Sequence, residues 1–400
     1  MRRDAYKVFS EARIADLTVK NRLIRSATYE SLMTTEGRVT PKLLSLYRGL
    51  ADGGIGTIIT GAMAVARQGK GYEHQICIYD DSFIPDIAQL AEVVHASGSG
   101  CMILAQLFHA GRQVLESATV AEPVGPSVVH SPILRKQARE LTVEEIESIV
   151  DCFVHAIARV KTAGYDGVQL HAAHGYLLSS FLSPFTNRRH DRYGGSIENR
   201  VTIVREIVAR AREGVGDFPI LIKMNCTDHL VGGIDTETFP EIAGQVAALG
   251  VDAIEVSGGM WDCLDRSETE LGFFPMPIPE SRTRINSPEK QSYFVPDAER
   301  LSVGVPVIVV GGHRNIEHLE EILNRGKVDF LALSRPLICE PDLPARWLEG
   351  RGREVADCVS CNSCVVEVGS KPVKCVLKQN RLKQRIVKNV APRTWRLIFK

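Results

Sequence analysis

Eight short apolar runs, most of them followed by a longer amphipathic stretch, restrict what this chain can fold into more than any other feature. The runs fall near 22–28, 56–62, 100–107, 166–171, 219–224, 252–257, 306–310 and 328–334. Helical periodicity occupies 41–52, 85–97, 143–163, 196–214, 236–249, 292–301, 315–325 and 341–349. In 143–163, Ile146, Ile149, Val150, Phe153, Ile157 and Val160 share one face, and Thr142 with Glu145 forms a capping-box pattern at its start. Runs such as Pro219-Ile220-Leu221-Ile222 and Pro306-Val307-Ile308-Val309-Val310 are apolar throughout, as parallel strands buried on both faces require. Eight β/α repeats predict a TIM (β/α)8 barrel over 1–350, with a short cysteine-rich extension over 351–400. A doubly wound sheet would place a glycine fingerprint after the first strand, and Ser26-Ala27-Thr28-Tyr29 is not one.

Two connections, roughly 108–141 and 258–290, are too long to be simple loops. Both follow strands, so both belong to the catalytic face of a barrel and read as lids or substrate walls. The 48 Lys and Arg balance 48 Asp and Glu, which argues against nucleic-acid or membrane-surface partners. The N-terminus is polar and no run reaches about 18 apolar residues, so a cytoplasmic location without a membrane span is expected. We also expect a homo-oligomer acting on a small molecule.

Polar residues punctuate the strand ends. Gln106 ends the third strand, His171 the fourth and Lys223 the fifth; Gly311-Gly312 follow the seventh, and Ser334-Arg335 the eighth. In a barrel these positions converge on one mouth, and the loops after strands seven and eight commonly hold phosphate. Glycines let backbone N–H groups approach an anion, and Arg335 can grip phosphate oxygens with two donors. His171 and His174 lie three residues apart just past a strand. They could be structural histidines, or metal ligands lacking a third partner, or two N–H donors aimed at one substrate oxygen. In the last case Tyr176 could supply a proton.

The stretches Lys20-Asn21-Arg22-Leu23-Ile24-Arg25-Ser26-Ala27-Thr28, Gln106-Leu107-Phe108-His109-Ala110-Gly111-Arg112, His171 to Tyr176, and Asp191 to Arg200 resemble the old yellow enzyme family, as does Ser334-Arg335-Pro336-Leu337-Ile338. The resemblance covers about the first 350 residues. It implies a barrel with non-covalent FMN, reduced by NADH or NADPH, that passes hydride to an activated C=C bond of an enone, enoate or dienoyl compound. It implies that Ala27, Thr28, Ala62 and Gln106 lie along the flavin ring, with Lys223 as the cation at its N1 and O2 edge. Gly311, Gly312, Ser334 and Arg335 would hold the phosphate. His171 and His174 would bind the substrate oxygen, and Tyr176 would donate the proton. Arg25 departs from the family pattern, which is apolar there. The Asp191–Arg200 string is assigned a bracing role.

Four of the 10 cysteines cluster as Cys358-x2-Cys361-x2-Cys364-x10-Cys375. Four thiolates can hold a [4Fe–4S] cluster or a structural zinc. The placement resembles the branch that includes 2,4-dienoyl-CoA reductases and trimethylamine dehydrogenase, which implies the iron–sulfur cluster. That branch carries an FAD- and nucleotide-binding domain for which these 400 residues offer no counterpart. Tyr29 and His171 replace the flavin-linking cysteine and the tyrosine of trimethylamine dehydrogenase, so amine oxidation is not expected. The alternative function is an electron-transfer subunit, passing electrons between FMN and a redox protein partner through the cluster. The last 25 residues carry eight Lys and Arg and no acid, a solvated tail or a docking surface for such a partner.

Overall fold

The computed structural model describes residues 3–115, 122–366 and 371–379. Eight parallel strands form its centre: β1 (Leu23–Arg25), β2 (Thr57–Ile59), β3 (Met102–Phe108), β4 (Gly167–Ala172), β5 (Ile220–Asn225), β6 (Ala253–Ser257), β7 (Val307–Val310) and β8 (Phe330–Leu333). Each pairs with the next in chain order, and β8 pairs with β1. The sheet therefore closes without an edge, and the expected TIM barrel is what forms.

Strand periodicity explains how one strand can carry both core and site. Alternate residues face the barrel axis. The inner cluster contains Ile24, Leu104, Leu221, Ala253 and Ala332. Two residues further along the same faces stand Ser26, Gln106, Lys223, Glu255 and Ser334. The polar mouth is thus the inward face continued one pleat beyond an apolar plug. Residues of opposite parity, including Ile58, Ile103, Val168, Ile222, Val309 and Leu331, pack outward in the larger core shared with the helices. An N-terminal hairpin, Ala12–Ile14 with Leu17–Val19, adds Ile14 and Val19 to the inner cluster.

The helix Val143–Thr162 starts with the expected capping box, Thr142 and Glu145 each bonding the other's backbone N–H. Two periodic stretches are shorter than the pattern suggests. The stretch 196–214 breaks at Val201 into Ile197–Arg200 and Thr202–Val215, and Arg200 beside the break donates to the Leu182 carbonyl (2.9 Å) and the Gly195 carbonyl (2.6 Å). The stretch 292–301 keeps one turn, Val295–Ala298, since Ser292 sits at φ 53° and Pro296 lacks a donor. The Asp191–Arg200 segment is a brace: Asp191 accepts from Arg189 Nε at 3.0 Å, and Asn199 donates to the Gly194 carbonyl at 3.0 Å.

Arg25 finds its partner locally. It is buried and donates to Glu30 Oε1 at 2.7 Å and to the Ile59 carbonyl at 3.0 Å, while the Tyr47 hydroxyl donates to the same Glu30 oxygen at 2.9 Å. The extension packs back onto the barrel. Ala356 N–H donates to the Arg314 carbonyl, Val373 N–H donates to the Glu30 carbonyl, both at 2.8 Å, and Asn362 bonds Arg335 and the Ser281 carbonyl. Among the described residues no helix is long and apolar enough to cross a membrane. Most of the basic tail lies outside the described residues.

Candidate functional site

The polar strand ends surround one cavity of about 600 Å³, a size that suits a cofactor or ligand. Ala27, Thr28, Ala62, Gln106, His171, His174, Tyr176, Lys223, Ser334 and Arg335 all line it. Gly311 and Gly312 line a smaller adjoining cavity together with Arg314, Ser334 and Arg335.

At the floor, hydrogen bonds fix the orientation of each amide. Lys223 Nζ lies 2.8 Å from Ser26 Oγ and 3.1 Å from Glu255 Oε1. Glu255 is fully buried, and Lys223 supplies its counter-charge. The other oxygen of Glu255 accepts from Gln169 Nε2 at 2.7 Å. A carboxylate only accepts, so Gln169 must present its NH2 to Glu255 and its carbonyl to Gln106. Gln106 Nε2 accordingly donates to Gln169 Oε1 at 2.8 Å, which leaves the Gln106 carbonyl as an acceptor for a ligand. The strand registers His171–Lys223 and Lys223–Glu255 set this row.

On one wall stand the two histidines. His171 Nδ1 accepts the Ala173 N–H at 3.3 Å, so the neutral ring carries its proton on Nε2. Burial, and then the Lys223 ammonium, hold its pKa well below the usual histidine value. His174 takes a left-handed conformation, φ 64°, with its N–H donating to Asn225 Oδ1 at 3.0 Å. Its Nε2 pairs with Ser257 Oγ at 2.8 Å, and its Nδ1 lies 3.9 Å from Glu280 Oε1. Burial, then His171 and Lys223, keep it neutral as well. The Tyr176 ring stands 4.9 Å from that of His171, and its hydroxyl bonds that of Tyr72. Burial, then Tyr72 and Glu280, raise the Tyr176 pKa well above its ordinary value, so the phenol keeps its proton.

The smaller cavity suits a phosphate. Gly311 and Gly312 have φ of 125° and 79°, and a Cβ on Gly312 would lie 2.8 Å from the Tyr293 ring. Arg314 has buried Nε and Nη2 atoms without a hydrogen-bond partner among the described residues. Orphaned guanidinium donors beside a glycine cradle and Arg335 are what an anion would satisfy.

The thiols are arranged less tightly. Cys364 lines the main cavity, Cys358 and Cys361 lie near Arg314, and Cys375 lies against Cys339. Burial pushes the Cys364 thiol up to about 12. Among the described residues no three His, Cys, Asp or Glu side chains converge as metal ligands.

The sequence profile of the NADH:flavin oxidoreductase / NADH oxidase family matches residues 7–354. The chain belongs to this family, the old yellow enzyme family. It is 38% identical over 360 residues to an NADH oxidase of Thermoanaerobacter brockii, covering 89% of this chain and 52% of that one. A metal reductase of Desulforamulus reducens is 37% identical over 374 residues, 92% of this chain and 53% of that protein. The chain thus spans about half the length of these two relatives. An NADPH dehydrogenase of Listeria welshimeri is 33% identical over 338 residues, 84% of this chain and 92% of that one. Among solved structures, 2-naphthoyl-CoA reductase superposes with a TM-score of 0.84 at 27% identity, over 94% of this chain and 57% of that one. Histamine dehydrogenase from Rhizobium sp. 4-9 does so with a TM-score of 0.77 at 25% identity, over 92% of this chain and 51% of that one.

Several residues that line or brace this family member's cavity escaped sequence reasoning. Gln169 and Glu255 had a signal: each is a polar residue inside an apolar strand, which has to be satisfied within the barrel. Arg314 follows the glycine pair directly and could have been read with it. Tyr72 and Glu280 lie on loops, and no spacing announces them.

Proposed function

We propose that the chain is an FMN-dependent NAD(P)H oxidoreductase that reduces the C=C bond of an α,β-unsaturated carbonyl compound. FMN bound in the cavity supplies hydride chemistry. The Gln106 carbonyl and Lys223 would hold the ring, and Gly311, Gly312, Arg314, Ser334 and Arg335 its phosphate. The observation that carries the reading is the pairing of a neutral His171, with its proton on Nε2, and a protonated Tyr176 in the same cavity. His171 and the Nδ1 side of His174 can donate to a carbonyl oxygen and stabilise charge that develops on it. Tyr176 can deliver a proton, with Tyr72 donating to its oxygen to orient it. The similarity to the Listeria welshimeri NADPH dehydrogenase and the Thermoanaerobacter brockii NADH oxidase supports a nicotinamide donor. The purified protein is expected to be yellow, to bleach on adding NADH or NADPH under anaerobic conditions, and to regain colour with 2-cyclohexen-1-one. A protein that takes up no FMN, or stays bleached with every enone, rules the reading out.

Cys364 on the cavity wall favours a second reading, in which electrons also leave through the extension. In it, Cys358, Cys361, Cys364 and Cys375 hold a [4Fe–4S] cluster. The arginines 314 and 335 beside these sulfurs would offset its negative charge. Among the described residues these thiols do not converge, so a cluster would require them to draw together. On this second reading, iron analysis after anaerobic purification finds about four irons per chain; iron-free protein ends it.

A further inference from the structure

Glu280 lines both cavities, yet the chemistry proposed above gives it no task. Its side chain retains 18% accessibility where it borders the cavity, while its Oε2 is covered and has no partner among the described residues. The segment that carries it is pinned. Tyr293 Oη donates to the Glu280 carbonyl at 2.7 Å, Asn362 donates to the Ser281 carbonyl, and Arg335 Nη1 donates to the Arg282 carbonyl at 2.7 Å. The carboxyl is thus held in place, with Oε1 3.9 Å from His174 Nδ1.

We propose that Glu280 decides whether the Nδ1 proton of His174 is available to an acceptor oxygen, and so acts as a positioning residue for that histidine. The proposal rests on the reading of His174 as a carbonyl donor. His174 has two ring nitrogens, and Ser257 occupies Nε2. With the serine hydroxyl donating, the imidazole proton sits on Nδ1, on the side facing Glu280. An ionised Glu280 attracts that proton and competes with the acceptor for it. A neutral Glu280 does not compete, and the proton can turn to a carbonyl oxygen.

Charge around Glu280 places the change within a working pH range. Burial raises its pKa to about 7, opposed by a backbone hydrogen bond, by Lys223 on β5 and by Arg335 after β8. The other titratable groups that face it are His174 after β4, Tyr72 and Tyr176 beside the acceptor, and Cys263 after β6. The histidine is neutral and the phenols and thiol are pushed upward, so these groups do not titrate near pH 7. Glu280 therefore loses its proton as pH rises through about 7 in the ligand-free cavity, and at a higher pH once the FMN phosphate offsets Arg335; His174 is then drawn away from the acceptor.

The test uses FMN-loaded protein reduced beforehand with dithionite, so that nicotinamide binding plays no part. Reoxidation by 2-cyclohexen-1-one is followed from pH 5.5 to 9 in the wild type, Glu280→Gln and Glu280→Asp. In the wild type the apparent enone Kd is expected to rise above pH 7, approaching about tenfold per pH unit as the competent fraction falls. Glu280→Gln is expected to flatten this profile, and Glu280→Asp to keep a rising limb. A Glu280→Gln profile that retains the wild-type limb overturns the proposal. Urea unfolding over the same pH range needs no acceptor. The raised carboxyl pKa stabilises the native state below about pH 4.5, and that contribution is lost as pH rises through about 7. The wild type is thus expected to lose stability relative to Glu280→Gln between about pH 5.5 and 7 and to run level with it above that, and curves that stay parallel over the whole range overturn the proposal. An enone that reoxidises none of the three proteins at any pH overturns the reductase reading instead, and the unfolding curves then judge Glu280 alone.

Discussion

Replacing Lys223 with methionine is expected to lower stability by about 3–5 kcal/mol, because it leaves a buried carboxylate without its counter-charge. Methionine has nearly the length of lysine, so packing changes little and charge is what is removed. Glu255 is fully buried, and Lys223 Nζ lies 3.1 Å from it. With the ammonium gone, Glu255 retains the Ser26 hydroxyl (2.7 Å) and the Gln169 amide (2.7 Å), neither of which carries charge. Adding Glu255→Gln to Lys223→Met should recover most of the loss, since no charge is then left buried. Urea unfolding of the single and double variants makes the comparison, and equal stabilities would show that the pair is not coupled. FMN affinity should fall in both variants, because the cation at the cavity floor is absent from both. A double variant that binds FMN as the wild type does would remove Lys223 from the flavin site.

His171→Ala is expected to reduce enone turnover by about 10²–10³-fold, the usual effect of losing one donor to a developing oxyanion. His174→Ala should act in the same range. The double variant should lose less than the product of the two, because both donors serve one oxygen and their effects couple. FMN content, read from the visible spectrum, should not change, since neither histidine belongs to the Gln106–Gln169–Glu255–Lys223 row. Reduction by NADPH and reoxidation by enone are measured separately. Full turnover in the double variant would exclude the histidines as carbonyl donors, and loss of FMN would assign them to the cofactor instead.

The barrel was legible because its strands have to be apolar on two faces. Pro219-Ile220-Leu221-Ile222 has no other comfortable environment than a covered parallel sheet. The strand-end residues were legible for a related reason. Lys223 interrupts such a run, and a charge there has to face the axis beyond the plug. Contacts made by loops were not legible. Tyr72 reaches Tyr176 and Glu280 reaches His174 across 104 and 106 positions of chain, through segments without periodic pattern. Arg25 shows a third case. Its partner Glu30 is five residues away, but nothing in that spacing says that both turn inward beneath Tyr47. The cysteine spacing could be read as a ligand set, whereas the packing of those thiols against Arg314 and Cys339 depends on where the extension lies.

The extension contributes wall rather than appendage. Cys364, Val365 and Val373 border the cavity, and Val373 bonds the backbone of Glu30, whose side chain holds Arg25. Whatever occupies the cavity therefore also rests on residues far along the chain from the barrel strands. By thermodynamic reciprocity, an occupant that favours the seated extension is held more tightly by it, by the same factor. A change at the thiols that alters how the extension sits would, by the same linkage, alter how tightly the barrel holds its occupant.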